Sequence, residues 1–125
     1  MTGDGERQLK PTGHRDLRVW QDAMALVRVV YLVTQSFPAD EQFGLSSQLR
    51  RAAVSVPSNI AEGAARRSKR EFAQFLSVAR GSLAEVETQV LIARDLGYLV
   101  QDDDILAAVS GLLRSISALM KSLER

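Results

Sequence analysis

The sequence lacks cysteine altogether and has one histidine, His14, among its 125 residues. Without cysteine, neither disulfide bridges nor thiolate zinc sites can form, a composition typical of a reducing compartment. His14 follows a polar segment, so we expect an exposed loop residue rather than a catalytic base or a metal ligand. The sequence therefore predicts a protein that is not an enzyme and that binds no metal and no cofactor.

Long apolar runs are absent as well. The stretch VVYLV at 29–33 is among the longest, whereas a helix that spans a bilayer needs about 20 apolar residues. The first residues, MTGDGERQLKPTGH, lack the apolar centre of a secretory signal. We therefore predict a cytoplasmic protein without membrane contact.

Acidic residues are present, but their spacing does not favour catalysis. Asp102, Asp103 and Asp104 open a predicted helix, where carboxylates cap backbone amides and interact favourably with the helix dipole. Glu85 and Glu87 are two residues apart on a predicted helix and so point in different directions. These carboxylates indicate capping and solvated charge rather than an acid–base pair or a cation site.

What the sequence does contain is typical of one globular domain, with 46% hydrophobic and 25% charged residues. Residues 1–15 are polar, contain glycine and proline and show no apolar periodicity, which predicts a flexible tail. Across residues 16–125, apolar residues recur every three or four positions. This is the pattern of amphipathic helices, and no strand-like alternation competes with it.

Two helices are predicted in the first half of this domain. The first runs from an N-cap at Asp16 to Phe37-Pro38, because a residue before proline avoids the helical region. Its apolar stripe is Leu17, Trp20, Ala23, Val27, Val30 and Thr34. The second begins near Asp40 and keeps its stripe in phase through Pro57, which predicts one helix kinked at that proline. Its stripe is Leu45, Leu49, Ala52 or Ala53, Val56, Ile60 and Gly63 or Ala64.

Two more helices are predicted in the second half. Ser68 and Glu71 have the spacing of a capping box at the start of the third helix, and Gly97 marks its end. Its stripe is Phe72, Leu76, Ala79, Leu83, Val86, Val90 and Ala93. The fourth helix opens at 102–104, and its stripe is Ile105, Val109, Leu112, Ile116, Leu119 and Leu123. Short connections make neighbouring helices antiparallel, so we predict an all-α, up-down antiparallel four-helix bundle.

The first and fourth helices are apolar over a wider face than one core requires. The additional apolar residues are Val19, Leu26, Val29, Tyr31, Leu106, Leu113 and Met120. Exposed apolar surface favours a second contact, most simply with other copies of the chain. The pattern therefore predicts a homo-oligomer.

The net charge of +1 hides an uneven distribution. Residues 50–70 carry six cations against Glu62 alone, whereas the segments on either side are slightly acidic. The cations are Arg50, Arg51, Arg66, Arg67, Lys69 and Arg70. At 1.5 Å per residue, the first two lie roughly 23 Å along the helix from the other four.

Two interpretations of this charge remain open. Clusters of arginine and lysine neutralise phosphates, which predicts an RNA or DNA contact surface at the six positions. Alternatively, the cations belong to a solvated face that forms interhelical salt bridges to the acidic third and fourth helices, with Glu85, Glu87 and Asp95 among the acidic residues. Few aromatic residues interleave with the arginines, so stacking of single-stranded bases is not indicated.

Long segments of the chain resemble a known family. They are LRVWQDA at 17–23, FP at 37–38, FGLSSQLRRAAVSVPSNIAEGAARRS at 43–68, EFAQFL at 71–76 and ARGSLAEVETQVLIARDLGYL at 79–99. These segments resemble the four-helix-bundle proteins encoded in ribosomal-RNA intervening sequences. That family includes the accessory variability proteins of diversity-generating retroelements. The resemblance extends over about residues 16–123.

The resemblance implies a protomer that assembles into a ring-like homopentamer. In retroelement members the ring is basic, binds nucleic acid and engages a reverse transcriptase, so RNA or DNA and a reverse transcriptase are the partners implied here. The family-like positions are Arg50, Arg51, Pro57, Ser58, Asn59, Glu62, Gly63 and Arg66. Their polar members are expected to brace the kink. The chain departs from the family pattern at Ala65, where a second glycine is usual, and at Asp22, where a lysine is usual.

Two function hypotheses follow. The first is a non-catalytic oligomeric bundle that binds RNA or DNA through phosphate contacts from the six cations. The alternative is a protein-interaction scaffold that docks an enzyme such as a reverse transcriptase and has no direct nucleic-acid role.

Overall fold

The computed structural model of the chain describes residues 13–100 and 103–124. Most of these residues lie in four α-helices, which are α1 (Arg18–Thr34), α2 (Leu45–Ala64), α3 (Lys69–Asp95) and α4 (Asp103–Ser122). Short 3-10 helices at Gly13–Asp16 and Ala39–Glu41 precede α1 and α2. No strand occurs in the described residues. The all-α prediction is therefore confirmed.

The four helices form an up-down antiparallel bundle. Each helix packs against the next one along the chain, and α4 closes the ring by packing against α1. The α2–α3 connection consists only of residues 65–68, and so short a connection places the two helices antiparallel and side by side. The predicted architecture is confirmed.

One apolar stripe from each helix forms the core. Its fully buried large side chains are Leu26, Val30, Leu49, Val56, Ile60, Leu76, Leu83, Val86, Val90, Val109 and Ile116. Burial of one such side chain contributes about 1.5–3 kcal/mol to folding. The stripe predicted for α2 is buried from Leu45 to Gly63. The stripes of α3 and α4 are buried except toward one end of each, where Phe72, Leu119 and Leu123 are half-buried.

The stripe predicted for α1 is partly wrong. Trp20 and Val27 are half-buried, whereas Val19 and Leu26 lie in the core. Both pairs are spaced by seven residues, so periodicity alone cannot distinguish them. Val19 and Leu26 therefore do not widen the apolar face of α1, but Val29 and Tyr31 are exposed.

The predicted ends of α3 are confirmed. Ser68 Oγ accepts a hydrogen bond from the Glu71 amide at 3.1 Å and donates one to Glu71 Oε1 at 3.1 Å. Gly97 follows the helix with a φ of 81°, a left-handed conformation that glycine adopts without a steric penalty. The amides of Gly97 and Tyr98 donate to the carbonyls of Arg94 and Ala93, which is the Schellman pattern of a helix end.

The predicted starts of α1 and α2 are wrong. The N-cap of α1 is Leu17, because Asp16 belongs to the preceding 3-10 helix. The second helix begins at Leu45 rather than near Asp40, because residues 39–41 form a separate 3-10 turn. Glu41 Oε1 accepts a hydrogen bond from the Leu45 amide at 3.0 Å. This carboxylate satisfies one of the amides that a helix start leaves without a partner.

Pro57 lies inside α2 and is buried there. The helix continues without a break from Leu45 to Ala64, so the predicted single helix is confirmed, and the kink at Pro57 stays a prediction. Most of the predicted tail, residues 1–12, lies outside the described residues, as does Asp102. His14 is half-buried and its ring lies 5.1 Å from that of Trp20, so the prediction of an exposed loop residue is wrong.

One segment of α4, Asp104–Ser122, is long and apolar enough to cross a membrane by length and composition alone. The core helix of a bundle passes the same test, and the α4 stripe packs into the core of this one. Cytoplasmic location and the absence of membrane contact stay predictions.

Candidate nucleic-acid interface

The six predicted cations lie in two groups at opposite ends of α2. Arg50 and Arg51 are in its second turn. The other four surround the α2–α3 connection, and we call them the turn cluster, which is Arg66, Arg67, Lys69 and Arg70. All six except Arg50 are exposed. The helix holds the two groups roughly 23 Å apart, at 1.5 Å per residue.

Arg50 joins α2 to α1. Its Nε donates a hydrogen bond to Thr34 Oγ1 at 2.8 Å, and its guanidinium carbon lies 4.5 Å from the centre of the Tyr31 ring. The Thr34 hydroxyl in turn donates to the Val30 carbonyl at 2.7 Å. The half-buried Arg50 therefore ties the end of α1 to the start of α2 and is held in one orientation.

Arg51 lies beside an aromatic groove on the bundle surface. The groove has a volume of about 600 Å³ and is lined by Tyr31, Phe43, Ser47, Arg50 and Arg51, among others. Phe43 belongs to the turn before α2, and its side chain is 90% exposed. Aromatic rings therefore lie beside the arginines at this end of α2, although few aromatic residues interleave with them in the sequence. The rings come from α1 and from the turn, and local sequence spacing does not reveal that they meet.

The turn cluster is built by the tight connection between α2 and α3. Arg66 pairs with Glu62 at 3.1 Å, and its guanidinium carbon lies 4.8 Å from the centre of the Phe75 ring. Arg67 and Arg70 are exposed. Lys69 and Arg70 also border a largely apolar groove of about 590 Å³, whose other side includes Met120, Leu123 and Glu124. With Glu62 and Glu71 nearby, residues 62–71 have a net charge of +2.

A hydrogen-bonded strip lies between the two cation groups. Asn59 Nδ2 donates to the Ser55 carbonyl at 2.8 Å and to Ser55 Oγ at 2.9 Å. Ser55 Oγ also shares a hydrogen bond of 2.8 Å with Ser82 Oγ on α3. Ser58 is exposed beside Pro57, at an apolar groove between α1 and α2. Asn59 thus fixes Ser55 against α3, while Ser58 faces solvent.

Gly63 lets the start of α3 approach α2 closely. A Cβ at this position would lie 2.7 Å from Phe75 Cβ and 2.9 Å from Phe72 Cδ1. Any larger residue would therefore push the two helices apart next to the turn cluster. This close approach positions Arg66, three residues later, against Phe75.

The model of the family described as 23S rRNA-intervening sequence protein matches residues 15–122. The chain belongs to this family. The matched range includes α1 to α4 and both cation groups, so the resemblance seen in the sequence is confirmed at the level of the family. No curated protein matches the chain.

Four arginines of the two cation groups form no interhelical salt bridge in the described residues. In residues 13–100 and 103–124, neither Arg51, Arg67 nor Arg70 forms an ion pair. Arg66 pairs within its own helix, with Glu62 rather than with Glu85, Glu87 or Asp95. Salt bridges from these four arginines to α3 and α4 are therefore absent from the described structure.

Tyr98 and Glu41 form a polar contact that the sequence pattern does not reveal. The Tyr98 hydroxyl, after α3, donates to Glu41 Oε2 at 2.9 Å. The pKa of Glu41 is lowered, chiefly because its carboxylate accepts the Leu45 amide and also because it accepts this hydroxyl. The same hydrogen bond is the main reason that the pKa of Tyr98 is raised. The two residues are 57 positions apart, so no local motif predicts their contact.

The described residues contain no candidate metal site, since no three of their His, Asp or Glu side chains lie close enough together to hold an ion. One buried polar atom, Gln89 Oε1, has no hydrogen-bond partner there. It borders a second groove of about 430 Å³, which Phe43 and Arg51 also line.

Proposed function

We propose that this protein is a non-catalytic, oligomeric bundle that binds RNA or DNA without a metal or cofactor. Arg51 and the turn cluster contact phosphate oxygens. The observation that carries the proposal is the exposure of Arg67 and Arg70 at one turn, where neither has an ion-pair partner in the described part of the chain.

Exposed cations without acidic partners have the chemistry that recognises a phosphate backbone. Each arginine or lysine that neutralises a phosphate releases condensed counterions, which drives binding and makes it weaken with salt. The net charge of only +1 does not oppose this, because a local potential attracts a ligand even when the global charge is near zero. Contacts to phosphates carry no sequence information, so we expect little sequence preference from them.

Assembly of several copies would strengthen the attraction of these cations for phosphates. Val29 and Leu32 are exposed along α1, and a groove of about 350 Å³ between α1 and α4 is lined by Ala25, Val29, Ala108 and Leu112, among others. Exposed apolar surface of this kind favours contact between copies. The family resemblance implies five copies, whose cations would then form one repeated field.

The proposal is tested by neutralising the turn cluster. The triple variant Arg66→Gln, Arg67→Gln, Arg70→Gln is compared with the triple variant Arg18→Gln, Arg28→Gln, Arg114→Gln. Both remove three positive charges, and both include one arginine of an exposed i,i+4 ion pair, Arg66 with Glu62 and Arg18 with Asp22. Binding to a structured RNA and to duplex DNA is measured by fluorescence anisotropy at two salt concentrations.

We expect the turn-cluster variant to bind at least about 10-fold more weakly at low salt and to show a shallower salt dependence, because it makes fewer phosphate contacts. The control variant should lose much less affinity. Equal losses in the two variants would show that net charge alone matters, and unchanged binding in the turn-cluster variant would refute the assigned surface.

A second candidate function is a protein-interaction scaffold that docks an enzyme such as a reverse transcriptase. It is favoured by exposed apolar side chains at the C-terminal end of α3, where Ile92, Leu96 and Val100 face solvent. The genomic position of the gene distinguishes the two functions. A gene beside that of a reverse transcriptase supports the scaffold, and a gene inside a 23S rRNA gene supports RNA binding.

A further inference from the structure

The most exposed aromatic ring of the described chain stands at the edge of a groove that contains two arginines. Phe43 is 90% exposed, although an apolar side chain of this size contributes to folding only when it is buried. In the described bundle, Phe43 therefore contributes almost no buried apolar surface to folding. A ring held in this position by a short turn is available to an external ligand.

The groove is lined by two aromatic rings and a guanidinium plane. They belong to Phe43, Tyr31 and Arg50, and the Arg50 guanidinium carbon lies 4.5 Å from the centre of the Tyr31 ring. Aromatic rings and arginine planes are the surfaces on which unpaired nucleobases stack. The volume of about 600 Å³ lies within the range of ~300–1,000 Å³ typical of ligand sites.

The charge in the groove selects among ligands. The groove brings Arg51 next to the rings, and Arg51 has no ion-pair partner in the described residues. An apolar helix of another protein would cover Phe43 but would leave this guanidinium buried and unpaired, which is costly. A nucleotide supplies both an apolar face and an anion. Ser47, which also lines the groove, adds a hydroxyl that can bond a phosphate or a sugar.

We propose that this groove binds an unpaired nucleotide of RNA or single-stranded DNA, with its base stacked on Phe43 and its phosphate on Arg51. The proposal rests on the proposed function and deepens it by naming the substrate class. Bases in a duplex are stacked on one another and do not reach the ring. The protein should therefore prefer a single-stranded segment, such as a loop or a flanking strand, at this end of α2.

The test compares a single-stranded oligonucleotide with an abasic strand of the same length, which keeps the phosphates and lacks the bases. Stacking on one aromatic side chain corresponds to about 5-fold to 150-fold in affinity. We expect Phe43→Ala to weaken binding of the normal strand by a factor in this range and to leave binding of the abasic strand unchanged. Phe43→Trp should restore the affinity, because it keeps a stacking face.

Val78→Ala provides the matched control, since Val78 is also an exposed apolar residue and lies outside the groove. It should bind both strands like the unmodified protein. Photo-crosslinking of a strand that contains 4-thiouridine gives an independent readout. The modified residue should fall in the tryptic peptide 29–50, which holds both Tyr31 and Phe43.

The outcomes separate this inference from the proposed function. Equal affinity of the normal and abasic strands, with Phe43→Ala without effect, refutes base stacking and leaves phosphate binding intact. No binding of any nucleic acid at low salt refutes both. A change in the mass of the assembly on Phe43→Ala, measured by light scattering, shows that Phe43 lies between copies of the chain and overturns the inference.

Discussion

Residues of the same type have different tasks in this protein. Arg50 is half-buried, donates to Thr34 and lies over the Tyr31 ring. Arg67 is exposed and has no ion pair in the described structure. The first is a structural link between α1 and α2, and the second is free to meet a ligand. A count of cations in the sequence treats the two as equal.

Arg50→Ala should lower the free energy of unfolding by about 1–3 kcal/mol. It removes a hydrogen bond of a charged donor, together with a cation–π contact. Arg67→Ala should change stability by less than about 0.5 kcal/mol, as is usual for an exposed residue. Urea unfolding followed by circular dichroism measures both. Equal stability of the two variants would contradict the structural task given to Arg50.

Gly63 also has a structural task, because it allows α2 and α3 to approach each other closely. Gly63→Ala should destabilise the protein by about 1–3 kcal/mol, because the new methyl group would overlap Phe75 and Phe72. Gly81→Ala is the matched control, since Gly81 lies in α3 with open space around it. Alanine is a better helix former there, so the control should gain up to about 1 kcal/mol. Thermal melts of the two variants should therefore shift in opposite directions, and a stabilised Gly63→Ala would be inconsistent with the close helix approach.

At the scale of the elements, a single carboxylate joins the start of α2 to the segment that follows α3, at one end of the bundle. Glu41 caps the start of α2 through Leu45 and holds Tyr98 beyond the end of α3. Its pKa is lowered in the folded state, so its contribution to stability is present above the unfolded pKa. That contribution is lost as the pH falls through the folded pKa. For Tyr98, whose pKa is raised, the contribution is present below the unfolded pKa and is lost as the pH rises through the folded one.

Tyr98→Phe should therefore raise the pKa of Glu41 toward its usual value, because one of its two hydrogen-bond donors is removed. The acid-dependent loss of stability attributable to Glu41 should become smaller. A carbon-detected NMR titration of the Glu41 carboxyl measures the shift directly. Tyr31→Phe serves as the control and should leave the Glu41 titration unchanged. An unaltered Glu41 pKa in Tyr98→Phe would argue against the hydroxyl contact.

Sequence periodicity predicted where the helices lie better than which face of α1 is buried. The capping residues Ser68 and Gly97 act locally, so their motifs identified the ends of α3 correctly. The start of α2 was missed because residues 39–41 form a separate 3-10 turn, from which Glu41 caps the helix. For α1, both Trp20 and Val19 fit an apolar repeat, and only packing against the other helices decides which is buried.

The candidate site was predictable in its charges but not in its surroundings. The exposed cations follow from composition. The partners of Arg50 come from α1, where Thr34 lies 16 residues away. Phe43 reads as an ordinary apolar residue of the stretch FGL, and its exposure follows from the turn that precedes α2. Contacts between distant elements therefore account for what the sequence did not reveal.

At the scale of the whole molecule, α2 holds the two groups of cations apart. An assembly of several copies would repeat both groups. Light scattering combined with size-exclusion chromatography should give a mass several times that of the 13.7 kDa protomer, and about five times that mass if the family resemblance holds. The exposed apolar residues of α1, Val29 and Leu32, are the reason to expect association. A clean monomer at micromolar concentration would contradict the oligomer.

The central claim is that the protein binds nucleic acid through phosphate contacts. The most direct measurement is the affinity of the unmodified protein for a structured RNA across a range of salt concentrations. The logarithm of the binding constant should fall linearly with the logarithm of the salt concentration, with a slope of about −2 or steeper for three or more neutralised phosphates. A flat dependence, or no binding at low salt, would contradict the claim.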